Sequence, residues 1–502
     1  MKKTRLKYIL PIISALLLIL AFPRFNLGFM AWLSLIPLFW FLMESKLREA
    51  FKGGLLFGLI FHLYINYFII VALYPFISLP LTLLGYFLVA AFKSLFYGIF
   101  CLAASYVKDN FRAIYVAWGV PFLWILMEFS RSLGLLGYTA GSIAFSQAHY
   151  PSVLQIASFY GHWGIAFLMI MLQIVIVLII KNRLSLPQLT GPATTWVIIA
   201  MVGLIIPGLF SAEKQSSPEN IALIQANIEQ EDVLAGPREN LLKYEMLTRK
   251  AFQKNDDIDL VVWAETVLSL PIARGEPIVP EVKNLSHELN TPFIYGAVVR
   301  ENEKQFNSAV LYCPQEETLQ QNHKKYLVPV VEYFPMEEQL NQLLNLNLNL
   351  ARYTRGEGID LHEYGDTSLA CIICFESFFG SYSRQFSAAS AQHMFILTNV
   401  GWLGDTHGVD QHADMAMIRA AEMGIGVTQI ANTGITISAD HTGKEVLRSG
   451  IETEEILFLE TDFSHRRTIY TIAGDYFVYA SLAGLLILYI LNIRKTEKMN
   501  NS

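Results

Sequence analysis

The chain has 502 residues, of which 53% are hydrophobic and 16% are charged, and its formal net charge is −6. A charged fraction so far below the usual ~25% excludes a disordered or collagen-like chain and argues against a wholly cytosolic one. The charge is also unevenly distributed, because residues 1–211 and 469–502 together carry +11 and residues 212–468 carry −17. The sequence therefore predicts a basic, apolar part in two pieces and an acidic, water-soluble domain between them.

The apolar part contains eight segments that are candidates for transmembrane helices, since a span needs ~20 mostly apolar residues. They lie at residues 8–22, 29–43, 55–75, 81–104, 113–130, 163–180, 194–210 and 474–492. Basic residues precede the first segment, as in a signal peptide, but no cleavage site of small residues follows it. We therefore predict a retained helix and a multi-pass bundle of about eight spans.

The loops between these spans differ in their content of Lys and Arg. With the N-terminus inside, 14 Lys or Arg residues fall in inner segments, and the short outer loops hold only Arg24 and Arg131. The positive-inside rule then predicts cytoplasmic termini and places residues 212–468 on the outer face, which is periplasmic in a bacterial inner membrane. Lys93 falls within the fourth span, where a charge is costly, so it has a function, faces a polar interior or extends its charged end to the membrane surface.

The acidic domain alternates short apolar runs with amphipathic stretches, which is typical of a layered α/β or α+β domain. The runs that favour strands are Ile221–Ala226, Leu260–Trp263, Phe293–Val298, Ser308–Tyr312, Leu369–Cys374, Met394–Thr398, Gly426–Ala431 and Ile456–Glu460. The stretches that favour helices are Arg238–Phe252, Tyr382–Ala391 and Val409–Met423. The Asn- and Leu-rich run Leu340–Leu350 suits a half-buried strand, a short helix or a loop equally well.

Cysteine is scarce, and Cys371 and Cys374 are spaced like a redox pair. These two residues close an apolar strand, however, where positions three apart point to opposite faces, so a disulfide between them is awkward. Cys374 is better placed as a nucleophile, since it ends a strand just before the chain turns. A thiol at such a position still needs a base or a nearby cation to react as a thiolate.

Two further segments supply a base and a cation. Glu265 follows the strand that ends at Trp263, and Lys324 precedes an apolar run that leads to Glu332. Each of these residues alone is more simply explained by a surface ion pair. A Glu, a Lys and a Cys in these three contexts together favour a catalytic triad.

These segments resemble the carbon–nitrogen hydrolase (nitrilase) superfamily, and their fusion to membrane helices resembles its apolipoprotein N-acyltransferase family. The resemblance rests on Trp263-x-Glu265, on Lys324-x-x-Leu-Val-Pro-x-x-Glu332 and on Cys374-Phe-Glu376. Motifs in the same order along the chain add to it. They are Trp124-x-x-x-Glu128-x-x-Arg131, Gln225-Ala-Asn227, Phe306-Asn307-Ser308, Asn399-x-x-Trp402, Arg419-Ala-x-Glu422, Asn432-Thr-Gly434 and Tyr470-x-x-x-Gly474-Asp475.

The resemblance implies a fold and a role for each site residue. The acidic domain is expected to be an αββα sandwich, with Glu265 as general base, Lys324 as oxyanion stabiliser and Cys374 as nucleophile. Supporting roles fall to Glu332, Glu376, Asn307 and the backbone N–H of Phe375, which is a candidate second oxyanion donor. Apolar residues that would shield the site from water are Trp402, Tyr333 and Phe334. Three departures, at Ala264, at Val330-Val331 and at Thr139-Ala140, bear on the substrate pocket and leave the triad intact.

The reaction that the resemblance implies is a ping-pong acyl transfer without a cofactor. A phospholipid, typically phosphatidylethanolamine, acylates Cys374, and the α-amine of a lipoprotein's N-terminal diacylglyceryl-cysteine then takes the acyl group. Both substrates are anchored in a bilayer, which explains the fusion to membrane helices. The expected partners are therefore the phospholipid, the diacylated apolipoprotein and the bilayer.

Other function classes remain as alternatives. His407, Asp410 and His412 lie close together but match no metal-ligand spacing, so no metal is expected. An acidic outer domain argues against nucleic-acid binding, and a transporter would leave the triad unexplained. The nearest rival is a membrane-tethered amidase, or an acyltransferase that uses a different amine.

Overall fold

The computed structural model describes residues 7–75, 77–134, 137–209, 218–229, 236–273, 279–329, 331–333, 337, 342 and 353–500. The chain divides into two compact units. The first unit is formed by Met1–Phe210, Thr406–Gln411 and Thr468–Ser502, and the second by Ser211–Asp405 and His412–Arg467.

The helices and strands of the described residues are numbered here in chain order. The helices are α1 (Ile9–Ile19), α2 (Ile36–Glu44), α3 (Leu47–Ile65), α4 (Phe68–Leu73), α5 (Leu79–Asn110), α6 (Ala113–Arg131), α7 (Pro151–Tyr160), α8 (His162–Ile180), α9 (Leu186–Leu209), α10 (Pro237–Lys254), α11 (Pro280–Leu289), α12 (Gly380–Ala388), α13 (His407–Met423), α14 (Ile469–Ala473) and α15 (Tyr476–Asn500). The strands are β1 (Glu219–Gln225), β2 (Leu260–Trp263), β3 (Leu268–Ala273), β4 (Phe293–Glu301), β5 (Lys304–Cys313), β6 (Thr318–His323), β7 (Leu361–Tyr364), β8 (Thr367–Ile373), β9 (His393–Thr398), β10 (Gly426–Ala431), β11 (Ile437–Ala439), β12 (Glu445–Arg448) and β13 (Glu455–Thr461). Short 3-10 turns occur at Gly28–Trp32, Ile143–Gln147, Cys374–Phe378 and Gly401–Leu403.

The first unit is helical and apolar. Among the described residues, five helices are long and apolar enough to cross a membrane, and they overlap the last five predicted spans. They are Leu79–Asn110, Ala113–Arg131, His162–Ile180, Leu186–Ile205 and Tyr476–Arg494. The structure thus supports five of the eight predicted spans.

The first three predicted spans differ from the helices found there. The segments 8–22 and 29–43 contain shorter apolar helices, Ile9–Ile19 and Gly28–Glu44. The segment 55–75 is divided between α3 and α4, with Asn66 at the C-cap of α3. Helix α3 also starts eight residues before the predicted span, because a Glu49 side chain bonded to the Lys46 backbone caps its charged first turn.

Lys93 lies in a polar interior of the first unit, which was one of its three predicted explanations. Its Nζ donates a hydrogen bond to the Arg131 carbonyl at 3.2 Å and lies 4.2 Å from the centre of the Tyr138 ring. Nearby on α6, the Glu128 carboxylate accepts hydrogen bonds from Ser142 Oγ at 2.7 Å and from the Ile143 backbone at 3.0 Å. Each of these buried charges is therefore held by protein groups.

The second unit contains two β-sheets that pack against each other. The first sheet has the strand order β13-β1-β2-β4-β5-β6, with β3 paired to β4, and the second has the order β12-β11-β10-β9-β8-β7. Asn322 in β6 donates a hydrogen bond to the Cys371 carbonyl in β8 at 2.9 Å, which ties the two sheets together. Helix α10 packs on the first sheet and α12 on the second, so the layers follow the expected αββα order.

The predicted elements of this unit are present with shifted ends. Each of the eight predicted strands overlaps a strand, and β2 and β10 have the predicted bounds. The three predicted helices correspond to α10, α12 and α13. The run Leu340–Leu350 lies outside the described residues except for Gln342.

Parallel strands position the residues of the candidate active site. The strands β1 and β2 are parallel neighbours in the first sheet, and β8, β9 and β10 are parallel neighbours in the second. Most side chains of these strands are buried Val, Ile or Leu, and Glu265, Cys374 and Asn399 follow the carboxyl ends of β2, β8 and β9. The carboxyl ends of such strands are where α/β folds collect functional side chains.

Candidate active site

Cys374 occupies a strained position at the end of β8. It opens the 3-10 turn Cys374–Phe378 with a φ of +51°, a backbone conformation that is uncommon for a residue with a side chain. Its side chain is buried, with 3% of the residue exposed. A strained, well-supported turn that fixes one side chain is typical of a functional position.

Glu376 holds that turn in place. One oxygen of its carboxylate accepts the backbone N–H of Ile373 at 2.9 Å, and the other accepts those of Lys325 at 2.7 Å and Tyr326 at 3.2 Å. The same side chain therefore joins the Cys374 turn to the segment that carries Lys324. Glu376 is a positioning residue in this arrangement.

Lys324 lies between two carboxylates. Its Nζ donates hydrogen bonds to Glu265 Oε1 at 3.0 Å and to Glu332 Oε1 at 2.8 Å, and the residue is 1% exposed. The amide nitrogen of Asn307 donates to the same two oxygens at 2.8 Å and 3.0 Å. The four side chains form one buried network in which two negative groups share one cation and one amide.

Glu265 has a further donor on its other oxygen. The backbone N–H of Asn399, which follows β9, donates to Glu265 Oε2 at 2.9 Å. Glu332 Oε2 accepts the backbone N–H of Val328 at 2.7 Å in the same way. Each carboxylate is therefore oriented by a side-chain amide, a lysine and a backbone N–H.

Burial and the charges of this network determine the pKa of the Cys374 thiol. Burial, and then the negative charge of Glu265, raise the pKa of the Cys374 thiol to about 12, although Lys324 and the Thr398 hydroxyl act in the opposite direction. The resting thiol is thus protonated at neutral pH. Its reaction as a nucleophile requires a base in the site, and Glu265 is one of the charged groups that act on it.

The pKa values of Lys324 and Glu376 are also shifted by burial and by neighbouring charges or hydrogen bonds. Burial by itself would lower the pKa of Lys324, but Glu265 and Glu332 hold it well above its ordinary value, so the cation persists. Burial raises the pKa of Glu376 to about 7, although the backbone N–H groups of Ile373 and Lys325 oppose this rise. Glu376 is therefore a buried carboxyl that changes charge near neutral pH.

The predicted shielding residues have different surroundings. Trp402 is half-buried, and its ring N–H donates to the Asn399 carbonyl at 2.9 Å. Asn399 is also the residue whose backbone N–H donates to Glu265. Tyr333 follows Glu332, and the Arg355 guanidinium stacks over its ring at 4.6 Å. Phe334 lies outside the described residues. Phe375 is half-buried, with its ring 5.2 Å from that of Phe379.

The residues weighed as metal ligands have protein partners. The His407 ring stacks on Tyr64 in the first unit, with ring centres 4.6 Å apart. His412 belongs to the second unit, where its Nδ1 lies 2.7 Å from Gln429 Oε1. In the part of the chain that the structure describes, no group of three His, Cys, Asp or Glu side chains is arranged to hold a metal ion.

Three polar residues of this site have no role in the sequence-based prediction. Asn399, Thr398 and Thr433 lie at or just beyond the carboxyl ends of β9 and β10. Asn399 was noted only as part of a motif, although its place after a buried parallel strand is the same signal that marks Glu265 and Cys374. The position of Asn399 directly after a strand is therefore a signal that identifies it as a candidate site residue. Its backbone contact with Glu265 has no signal in the sequence.

Comparisons with known proteins agree with both parts of the chain. The family model "Apolipoprotein N-acyltransferase N-terminal domain" matches residues 14–175, and the model "Carbon-nitrogen hydrolase" matches residues 220–470. A relative from Geobacter metallireducens named apolipoprotein N-acyltransferase is 27% identical over 98% of this chain and 96% of its own. A Treponema denticola relative, apolipoprotein N-acyltransferase 1, is 26% identical over 98% and 97%.

Solved structures match about half of the chain. The structure of Saccharomyces cerevisiae Nit3, a member of branch 10 of the nitrilase superfamily, covers 50% of this chain and 92% of its own, with 19% identity and a TM-score of 0.39. The carbon-nitrogen hydrolase model itself spans half of the residues. The chain therefore belongs to the carbon-nitrogen hydrolase family, and it carries in addition the N-terminal domain of apolipoprotein N-acyltransferases.

Proposed function

We propose that this chain is an apolipoprotein N-acyltransferase that works through Cys374, Glu265 and Lys324. The observation that carries the proposal is the buried network in which Lys324 joins Glu265 to Glu332 and influences the Cys374 thiol. The relatives aligned over nearly the whole chain bear the same name, and the N-terminal match supports the same activity. The substrates are a lipid acyl donor and a lipoprotein acceptor.

The first half-reaction acylates the enzyme. Cys374 Sγ attacks the ester carbonyl of a phospholipid, for which phosphatidylethanolamine is the proposed donor, while Glu265 takes the thiol proton. The negative charge that develops on the carbonyl oxygen is stabilised by Lys324, whose cation is fixed before the reaction begins. The ester C–O bond then breaks, Glu265 returns the proton to the leaving oxygen, and a lysophospholipid departs from the thioester.

The second half-reaction transfers the acyl group. The α-amine of the diacylglyceryl-cysteine attacks the thioester carbon, and Glu265 takes a proton from the amine. The C–S bond breaks, the new amide leaves, and the proton returns to Cys374. Glu332, Asn307 and Glu376 position the three reacting groups through the hydrogen bonds described above.

The proposed location places both substrates within reach. Residues 1–211 and 469–502 form the membrane part, and residues 212–468 form the catalytic domain on the periplasmic side of the bacterial inner membrane, with both termini in the cytoplasm. The supporting arguments are the apolar helices and the excess of Lys and Arg in alternate loops. The full bundle is proposed to have eight spans, which include the shorter helices α1 and α2 and the helix α3.

The experiment uses the purified full-length protein in phospholipid vesicles with a labelled acyl donor. We expect a label on Cys374 that survives denaturation and is released by hydroxylamine. With a diacylated lipopeptide present, mass spectrometry should show one added N-linked acyl chain. Cys374→Ala should abolish both results, and the control Cys371→Ala, which changes a buried cysteine three residues earlier in β8, should abolish neither.

Two outcomes would overturn the proposal. Acyl transfer that survives Cys374→Ala would remove the nucleophile from the mechanism. Release of the label only as free fatty acid, even with acceptor present, would favour the membrane-tethered hydrolase.

A further inference from the structure

Several buried oxygen atoms around Glu265, among them Asn307 Oδ1 and Thr398 Oγ1, have no hydrogen-bond partner within the described part of the chain, and two further ones lie on one side of Gly401. These two are Asn399 Oδ1 and Thr433 Oγ1, and each residue is 7% exposed. Buried polar atoms are nearly always paired, because an unpaired one has lost its hydrogen bonds to water without replacing them. Atoms that are unpaired in the protein alone are candidates for contact with a ligand.

The two oxygens lie close together, on the same side of Gly401. A methyl group built on Gly401 would lie 2.4 Å from Thr433 Oγ1 and 3.6 Å from Asn399 Oδ1. The same Asn399 donates its backbone N–H to Glu265 Oε2. One unpaired oxygen therefore belongs to the residue whose backbone orients the proposed base, and the other lies close to it.

The chemistry of these atoms specifies what they bind. An amide oxygen only accepts hydrogen bonds, and a threonine hydroxyl is able to accept one. The carboxylate of Glu265 next to them also accepts. Acceptors grouped in this way favour a ligand with N–H donors, and a primary amine is such a ligand.

We propose that Asn399 Oδ1 and Thr433 Oγ1 form the subsite that receives the amino group of the acyl acceptor. The inference rests on the proposed function, which brings an amine to this site. A neutral primary amine has two N–H bonds and one lone pair. With one N–H bonded to this oxygen pair and the other directed at Glu265, the lone pair is left for the thioester carbon.

The step balances without a further reactant. The amine nitrogen forms a C–N bond to the acyl carbon, Glu265 takes one proton from that nitrogen, and the C–S bond to Cys374 breaks. The proton then passes from Glu265 to the thiolate. The second N–H stays on the product amide, so the subsite acts by holding and orienting the amine.

The subsite predicts that the two half-reactions respond differently to substitution. Thr433→Val removes the hydroxyl and keeps the shape of the side chain, whereas Thr433→Ser keeps the hydroxyl. With reconstituted full-length protein, we expect Thr433→Val and Asn399→Ala to slow acyl transfer to the diacylated lipopeptide about tenfold or more. Acylation of Cys374 by labelled phospholipid, measured without acceptor, should stay within about twofold of the unsubstituted protein.

Two comparisons separate amine binding from general damage to the site. A small thiol such as 2-mercaptoethanol cleaves the thioester without an N–H group, so Thr433→Val should leave that rate unchanged, and Thr433→Ser should restore transfer to the lipopeptide. The control Thr318→Val makes the same change at the start of β6, at the far end of that strand from Lys324, and should affect neither half-reaction.

Equal slowing of both half-reactions, or of the thiol and amine reactions alike, would show a structural role and overturn the inference. Unchanged transfer to the lipopeptide in Thr433→Val and Asn399→Ala would also overturn it. Failure of the unsubstituted protein to form a thioester would instead overturn the proposed function.

Discussion

Replacement of Lys324 by Met tests the central network most directly. The change keeps a side chain of similar length and removes the cation that lies 3.0 Å from Glu265 and 2.8 Å from Glu332. The two carboxylates then share only the Asn307 amide. We expect the variant to lose acylation of Cys374 and to become less stable in a way that depends on pH.

The size of the stability loss follows from the two distances. With an effective dielectric constant of about 20, each contact represents about 5–6 kcal/mol of Coulomb attraction, most of which offsets the cost of burying the charges. Removal of one partner from a buried ion pair typically costs about 3–5 kcal/mol. For a unit of this size, that loss corresponds to a fall of about 10 °C in the unfolding temperature near pH 8.

The pH dependence has a definite sign. Without Lys324, two neighbouring carboxylates cannot both stay ionised at low cost, so the folded variant holds a proton that the unfolded chain releases near pH 4–5. The stability of the variant is therefore greatest in acid and falls as the pH rises. The deficit relative to the unsubstituted protein should shrink at pH 5 and grow towards pH 8.

The assay is thermal unfolding of the full-length protein in detergent at pH 5, 6.5 and 8. The double variant Lys324→Met/Glu332→Gln should recover much of the loss at pH 8, because one negative charge is gone, and it should remain inactive. The control Lys283→Met breaks an exposed pair with Glu317 and should cost less than about 1 kcal/mol. A loss in Lys324→Met that is equal at pH 5 and pH 8 would refute the electrostatic reasoning, since it would indicate lost packing.

Three further predictions concern the groups around Cys374. Glu265→Gln should reduce acyl transfer by about 10²–10⁴-fold, because it removes the group that is proposed to take the thiol proton. Acylation of Cys374 by labelled phospholipid measures this, and an unchanged rate would contradict it. The pKa of Glu376 is raised to about 7, so its ionisation costs folding free energy as the pH rises through that value. Glu376→Gln should therefore be more destabilising at pH 5 than at pH 8. Thermal unfolding measures this difference, and a pH-independent loss would contradict it. Asn307→Leu should lower the rate of Cys374 acylation about tenfold, because it removes the amide that both carboxylates share. Single-turnover labelling measures this rate, and an unchanged rate would show that the amide is dispensable.

The sequence predicted the second unit well because its signals are local. Apolar runs bounded by turns identified β2, β8, β9 and β10, and the residues after them gave Glu265 and Cys374. The apolar run after Lys324 marked Lys324 and Glu332, and the resemblance added Asn307 and Glu376. The structure brings Lys324, Glu332 and Asn307 together with Glu265.

The first unit was predicted less well for a physical reason. Hydropathy averages over a window and does not detect where a helix ends. Arg24 and Asn26 have positive φ values of 80° and 54°, so the chain turns shortly after α1. Asn66 ends α3 inside a run that hydropathy reads as continuous.

The contact of the Asn399 backbone with Glu265 could not be predicted either, because it depends on a fold that brings two sheets together. A backbone N–H carries no residue-specific signal, and Thr433 is distant from Asn399 in sequence. The contact of Asn399 with Glu265 and the proximity of Thr433 to Asn399 are visible only in the three-dimensional structure.

In the proposed mechanism, the net charge of the network explains why the nucleophile and its base lie in one buried site. Glu265, Glu332 and Lys324 sum to −1 when all are ionised, and a thiolate at Cys374 would make this −2. Burial, and then the negative charge of Glu265, raise the thiol pKa to about 12. Transfer of the thiol proton to Glu265 keeps the sum at −1 while sulfur attacks. Charge then develops on the substrate oxygen, where Lys324 acts. The thiolate thus forms only when an ester is present to accept its electrons, and the resting thiol is protected from reagents that attack thiolates.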